Sequence, residues 1–443
     1  MRSYLILSMC ILYLSYYFVQ NVWLGYLVVV LAIAGFIASA VKAQGFPRII
    51  AMVMMGMGII LEFYKGTGAE GISQGILMIL PLLCIVTLAP LLSIPLKLGG
   101  YFESIDSLLR NLLHHPRRLF AGITTSLFIL SPILSLGSVR ILSEFLSDLK
   151  LPAAMSAKSY LIGFSTAIMW SPYFASVSLV LYYLDMEVGK YIVYGIGLSF
   201  LSLLIGNFLF ALWERRNPLE RIHTPEVPLA KESRNQLLML GMFVTLLLSS
   251  SLTIEYFTKW SMIIIVCIIS IILPLVWGII TKGWSRLIPL LENYRDQSVP
   301  MMNNEIMLFT SAGLFAHAVQ GTPFANTISD FLTGVAKDSI LLFALAVICI
   351  VVAVTYIGLH QIAVIAALAM QLKAEELGIS NLSLAMLLLL SWSISSASSP
   401  FSGLNLMVSK IVGISGFETG IRSNGIHLVI LTVIGLGIIL IVS

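Results

Sequence analysis

The chain has 443 residues, of which 58% are hydrophobic and only 10% charged, with a formal net charge of +4 and a mean hydropathy of +0.99. A soluble protein of this length carries about a quarter charged residues to cover its surface, so that class is excluded, and nothing points to nucleic acid. The four cysteines (Cys10, Cys84, Cys267, Cys349) stand singly inside apolar runs, without the spacing of a disulfide framework or a metal site.

In chain order, the first apolar stretch runs from Met1 to about Phe18. Tyr16, Tyr17 and Phe18 occupy the place where a signal peptide would have small residues, so it reads as a retained span. Runs at 22–41 and 48–64 follow, joined by Lys42 and Arg48, and complete an N-terminal region, 1–70. Each approaches the roughly 20 residues that cross a hydrocarbon core as a helix. A lone apolar run in lipid satisfies its backbone only as a helix, and period-two alternation is absent, so the fold class is all-α, polytopic and membrane-spanning.

A first block, 71–213, contains a span at 76–96 and an amphipathic segment that reads as an interfacial helix, 101–115, with Tyr101, Phe102, Ile105, Leu108, Leu109 and Leu112 on one face. An apolar hairpin at 118–150 follows, then a long helix, 156–185, interrupted at Ser171-Pro172, and a span at 190–212. A loop and two linking spans (237–254 and 261–280) fill 214–300.

The second block, 301–443, repeats the order: a span at 303–320, an interfacial helix at 323–336, a hairpin at 338–372, a helix at 380–412 interrupted at Ser399-Pro400, and a span at 424–442. The interfacial face here is Phe324, Ile328, Phe331, Leu332 and Val335. Aligning the two prolines pairs Ser165 with Ser393, Ser171 with Ser399, Tyr173 with Phe401 and Ala175 with Gly403.

The charges supply a topology. Lys97, Arg110, Arg117, Arg118, Arg215, Arg216, Arg221, Lys231, Arg234, Lys282, Arg286 and Arg295 all fall on the cytoplasmic side if the two hairpins turn back without crossing. That gives about eleven transmembrane helices with the N-terminus inside and the C-terminus outside. The hairpins then enter from opposite sides and the blocks are inverted repeats, the architecture of alternating-access transporters.

Pro172 and Pro400 each remove a backbone donor and break their helices; freed carbonyls suit a cation and half-helix N-termini suit an anion. The hydroxyl-rich run from Ser393 to Asn405, with Ser398 and Ser399 at its break, is costly in lipid and suits a polar solute. At the hairpin tips, Ser138 and Arg140 in the first and His360 and Gln361 in the second face the same reading. Arg140 suits an anionic group or, alternatively, a local pair with Glu144; His360, with Glu144, is a candidate for proton coupling. Glu62, Glu305 and Glu418 fall near span ends and call for no special role, and His317 reads as structural.

The order of span, interfacial helix, hairpin, broken helix and span, given twice, resembles the ion transporter superfamily, which includes divalent anion–sodium symporters, arsenite permease relatives and several sodium/proton antiporters. Asn304 to Phe315 resembles the helix that opens that family's second repeat, and Ser399-Pro-Phe-Ser-Gly-Leu-Asn405 resembles its proline break with a following asparagine. The resemblance implies a homodimer with a scaffold and a moving transport domain. Where sodium-coupled dicarboxylate members carry Ser-Asn-Thr at both hairpin tips, this chain has Leu136-Gly137-Ser138 and Leu359-His360-Gln361.

The expectation is a secondary transporter of a small, anionic solute in the cytoplasmic membrane, coupled to protons or sodium, with no other cofactor. A cation/proton antiporter is the alternative and calls for carboxylates at membrane depth. A polytopic enzyme is the third reading, but there is no His-Glu-x-x-His motif and the outer loops are short.

Overall fold

A computed structural model describes residues 2–43, 45–149, 151–219, 230–281 and 283–443. Arg221 and Lys282, two of the charges used for the topology, lie outside the described residues. Among those residues the chain is helical, without strands, and eleven helices are long and apolar enough to cross a membrane. The eleven differ in one member from the sequence reading. Asn303–Val319 is 17 residues, short for a span, whereas the first arm of the first hairpin, Pro116–Leu134, qualifies at 19 residues. At 1.5 Å per residue that arm is about 28 Å long, so its length alone does not require it to stop within the bilayer.

Two groups of helices organise the molecule. In one, Asn303–Val319 packs into Val22–Ala40, Gly45–Tyr64 and Gly68–Leu88. In the other, Ala153–Trp170 packs on Pro116–Leu134, Val188–Arg216 and Asn381–Ser398, and the last also holds Ile340–Tyr356 and the terminal helix Ser423–Val442. Between the groups lie Ala175–Tyr183 and Gln361–Gln371, which touch each other; Ala175–Tyr183 reaches Gly68–Leu88 and Gln361–Gln371 reaches Asn303–Val319. The interrupted helices are the core: 94% of the apolar window of Asn381–Val412 and 89% of that of Ala153–Tyr183 is buried, against 22% for Lys231–Thr258, whose free face belongs to lipid.

The amphipathic segments fold as Tyr101–Asn111 and Pro323–Asp338. The first buries Tyr101, Ile105 and Leu109. Its Arg110 bonds Asp106 at 2.9 Å, Asp148 at 3.0 Å and the Phe145 carbonyl at 3.1 Å, tying the surface helix to the end of the first hairpin. That guanidinium holds the Asp148 carboxyl below its usual range.

The groups near span ends are more closely joined than the sequence reading had them. The Glu62 side chain, in the last turn of Gly45–Tyr64, is fully buried. It takes hydrogen bonds from Thr67 Oγ1 at 2.5 Å and lies 2.7 Å from His317 Nδ1, while Lys65 reaches the His317 and Ala318 carbonyls at 3.3 and 3.2 Å. This clip fastens Gly45–Tyr64 to the C-terminal end of Asn303–Val319, and a buried carboxylate is tolerable only with such partners.

Candidate functional site

Each proline stops its helix in the same way. Ala153–Trp170 ends at Ser171 with ψ 123°, and Asn381–Ser398 ends at Ser399 with ψ 127°. In the first break Ser171 Oγ accepts from the Tyr173 N–H at 3.3 Å and the Ser171 carbonyl accepts from Phe174 at 3.0 Å. In the second, Ser399 Oγ accepts from Phe401 at 3.2 Å and its carbonyl accepts from Ser402 at 3.2 Å. New helices start at Ala175 and Gly403. The broken helices also touch at matched positions, since Ser393 Oγ donates to the Ser165 carbonyl at 3.0 Å across 228 residues. That offset is the one separating Ser171 from Ser399.

A helix end leaves carbonyls without partners, and in a membrane interior each needs a donor. Side chains supply them. In the first break Ser176 donates to Ile168 O at 2.7 Å, Tyr191 to Met169 O at 2.5 Å and Ser178 to Pro172 O at 2.5 Å. In the second, Ser402 donates to Ser396 O at 2.6 Å, Asn405 Nδ2 to Ala397 O at 3.4 Å and Tyr356 to Ser398 O at 3.0 Å. Asn405 Nδ2 also reaches Gly416 O at 2.9 Å. A Cβ on Gly420 would sit 2.6 Å from both Asn405 Nδ2 and Ser398 O, so only glycine lets the π-helical turn Glu418–Arg422 press on the break.

Both hairpins come to the second break. The first turns at Ser135, whose φ of 48° is strained for a residue with a side chain, and Leu136 in that turn lies 3.7 Å from where a Gly403 Cβ would be. The second turns through Gly358 at φ 97°, and the Thr355 carbonyl just before the turn accepts from Ser399 Oγ at 3.0 Å.

The named residues divide into three groups. Ser398 and Asn405 are buried at the second break, and Ser398 Oγ and Asn405 Oδ1 are without partners; Gln361 is buried in the second hairpin, and its Nε2–H donors have no acceptor. Ser171 and Ser399 are engaged in the turns. Ser138 closes its own hairpin, 2.8 Å from Ser131 Oγ and 2.8 Å from Ser135 O. His360 caps the helix that begins at Gln361, its Nδ1 accepting from Ile362 N–H at 3.2 Å, with its ring edge-on to Phe309. Arg140 makes the local pair given as its alternative: it lies 3.0 Å from Glu144, with both side chains more than 60% exposed. The one-turn spacing that favours this pair keeps both charges on the outer face of Gly137–Phe145, so neither enters the buried breaks.

Two contributors escaped the sequence reading. Trp170 ends the first half of its helix with a buried, unpartnered Nε1–H. It looks like one more apolar residue in an apolar run; its place directly before Ser171-Pro172 was the available signal. Gly420 lies outside both motifs and carries no sequence signal of its role.

The breaks therefore differ in polarity. Around the first stand unpaired donors, Trp170 Nε1–H and the N-terminus at Ala175, which no side chain caps; Gln361 Nε2, also unpaired, lies on Gln361–Gln371, which packs against both Ala175–Tyr183 and Asn381–Ser398. Around the second stand unpaired oxygens, Ser398 Oγ and Asn405 Oδ1.

Residues 165–442 match the family described as "Tripartite ATP-independent periplasmic transporter, DctM component", a segment containing both breaks. The fold is similar to a crystal structure of the Alcanivorax borkumensis YdaH transporter, with a TM-score of 0.56 at 12% identity, covering 81% of this chain and 85% of that one. No curated protein sequence matches the chain.

Proposed function

The chain belongs to the DctM component family of tripartite ATP-independent periplasmic transporters, and from that premise we propose that it is the membrane component through which a small anionic solute crosses the cytoplasmic membrane by alternating access, driven by a sodium gradient. The observation that carries this reading is the split between the breaks. Donors around Trp170, Ala175 and Gln361 suit an oxyanion at a half-helix N-terminus. Oxygens at Ser398 and Asn405, beside the carbonyls of an interrupted helix, suit a small cation.

In this reading the hairpins enter the membrane from opposite faces, the repeats are inverted, and the likeness to divalent anion–sodium symporters extends from element order to coupling. Proton coupling through His360 is the weaker form, because its Nδ1 already caps a helix. A cation/proton antiporter needs a carboxylate at the breaks, and Glu144 stands in an exposed ion pair instead. The word tripartite favours assembly with companion components over the homodimer expected from the sequence, and the mass of the purified complex distinguishes the two.

The test needs no companion. Thermal unfolding of the purified chain is followed in sodium, potassium and choline chloride at equal ionic strength. A cation that binds only the folded state stabilises it by RT ln(1 + [L]/Kd), about 2.7 kcal/mol at a hundredfold excess over Kd. Sodium should raise the Tm above the other two salts, and Asn405→Ala should remove the difference. An equal Tm in all three salts sinks sodium coupling. Exchange of mono-, di- and tricarboxylates in proteoliposomes, wild type against Gln361→Leu, then tests the anion.

A further inference from the structure

A cavity of about 710 Å³ borders the turn Glu418–Arg422, but none of the break residues Ser171, Pro172, Ser398, Ser399 or Asn405 lines it. Its walls are apolar: Ile162, Gly206, Phe210, Ile421 and Ile426. Its mouth is basic, with Lys158, Arg215, Arg216 and Arg422. These groups sit at helix ends. Lys158 is near the start of Ala153–Trp170, the two arginines close Val188–Arg216, and Arg422 precedes Ser423–Val442. A trough running from helix ends into the apolar body meets the membrane at one boundary, whichever way the protein faces.

The charge at that mouth is unbalanced. Glu214 is taken by Arg117 at 2.6 Å, and Glu418, the one carboxylate among the described lining residues, reaches Arg422 only at 3.5 Å. No described acidic group pairs with Lys158, Arg215 or Arg216. Lys158 Nζ is held by the Ser423 carbonyl and lies 5.8 Å from the Trp213 ring centre. Two further groups lining the trough are at least nine-tenths buried with an unpaired acceptor. His427 uses Nε2 on the Ser202 carbonyl at 3.0 Å and leaves Nδ1 free; Asn424 donates Nδ2 to Thr419 O at 2.9 Å and leaves Oδ1 free.

We propose that this trough is a binding site for an anionic phospholipid with a polyol headgroup. The basic mouth takes the phosphate, His427 and Asn424 accept from headgroup hydroxyls, and the apolar walls take the start of an acyl chain. Basic pockets between helices at one membrane face are the usual form of such sites, and arginine is suited to phosphate.

The probe is dioctanoyl phosphatidylglycerol, titrated against delipidated full-length chain in detergent by native mass spectrometry. Dioctanoyl phosphatidylcholine and inorganic phosphate are titrated alongside. Phosphatidylglycerol should bind at least tenfold tighter than phosphatidylcholine. The double variant Arg216→Gln, Arg422→Gln, at exposed positions that leave packing intact, should weaken it about tenfold, and Arg234→Gln should leave it unchanged. Equal binding of the two lipids, or full binding by the double variant, overturns the proposal. So does displacement of the lipid by an equal concentration of inorganic phosphate, which would leave the apolar walls without a part.

Discussion

Offset by 228 positions, Ser171-Pro172 and Ser399-Pro400 interrupt their helices with the same turn, the same serine cap and the same extended residue. Their surroundings differ. Ile168, Met169, Trp170 and Val177 line the first where Ser396, Ala397, Ser398 and Asn405 line the second. The backbone of a break is thus a matter of proline and a capping serine, while the chemistry depends on neighbours that can change without disturbing the turn.

Exchanging the neighbours gives the strongest way to break that comparison. Asn405→Val installs the residue of the first break; it removes the bonds to Ala397 and Gly416 and the free Oδ1 together. Gradient-driven uptake should fall by about a hundredfold or more, the equivalent of roughly 2.7 kcal/mol, whereas Val177→Asn should change it less than about threefold. Similar losses in both variants would mean the breaks share the work. A smaller effect is expected at Gly420, where a methyl group meets Ser398 O and Asn405 at 2.6 Å. Gly420→Ala should cost about 1–3 kcal/mol through overpacking, read as a lowered Tm. Gly437→Ala, with open space around it in the same terminal segment, should be neutral or slightly stabilising. The smallest effect belongs to Arg140→Ala. An exposed pair one turn apart contributes about 0.3–0.5 kcal/mol, so the Tm should barely shift and uptake should stay within about twofold of wild type; a large loss of uptake would bring the first hairpin back into the site.

The breaks were legible because proline has one meaning inside an apolar helix, and the hairpin tips because Gly137 and Gly358 interrupt runs that otherwise continue. The list of polar residues was legible only as a list. Whether Ser398 faces a neighbour or stands unpaired, and whether Arg140 turns to Glu144 or inward, depends on the rotation of one helix against another, which the spacing of a mostly apolar segment leaves undetermined. Trp170 was lost because its ring is apolar to a composition and its N–H matters only once buried. The union of Glu62 with His317 was out of reach because 255 residues separate them.

That separation bears on how the protein is made. At roughly 5–20 residues per second, the imidazole leaves the ribosome on the order of ten to fifty seconds after the carboxylate. Over that interval the acid on Gly45–Tyr64 is without its partner on the distant helix. Thr67 and Lys65 are synthesised within moments of Glu62 and bind it locally. Both partners are therefore available to the carboxylate before Asn303–Val319 has been synthesised.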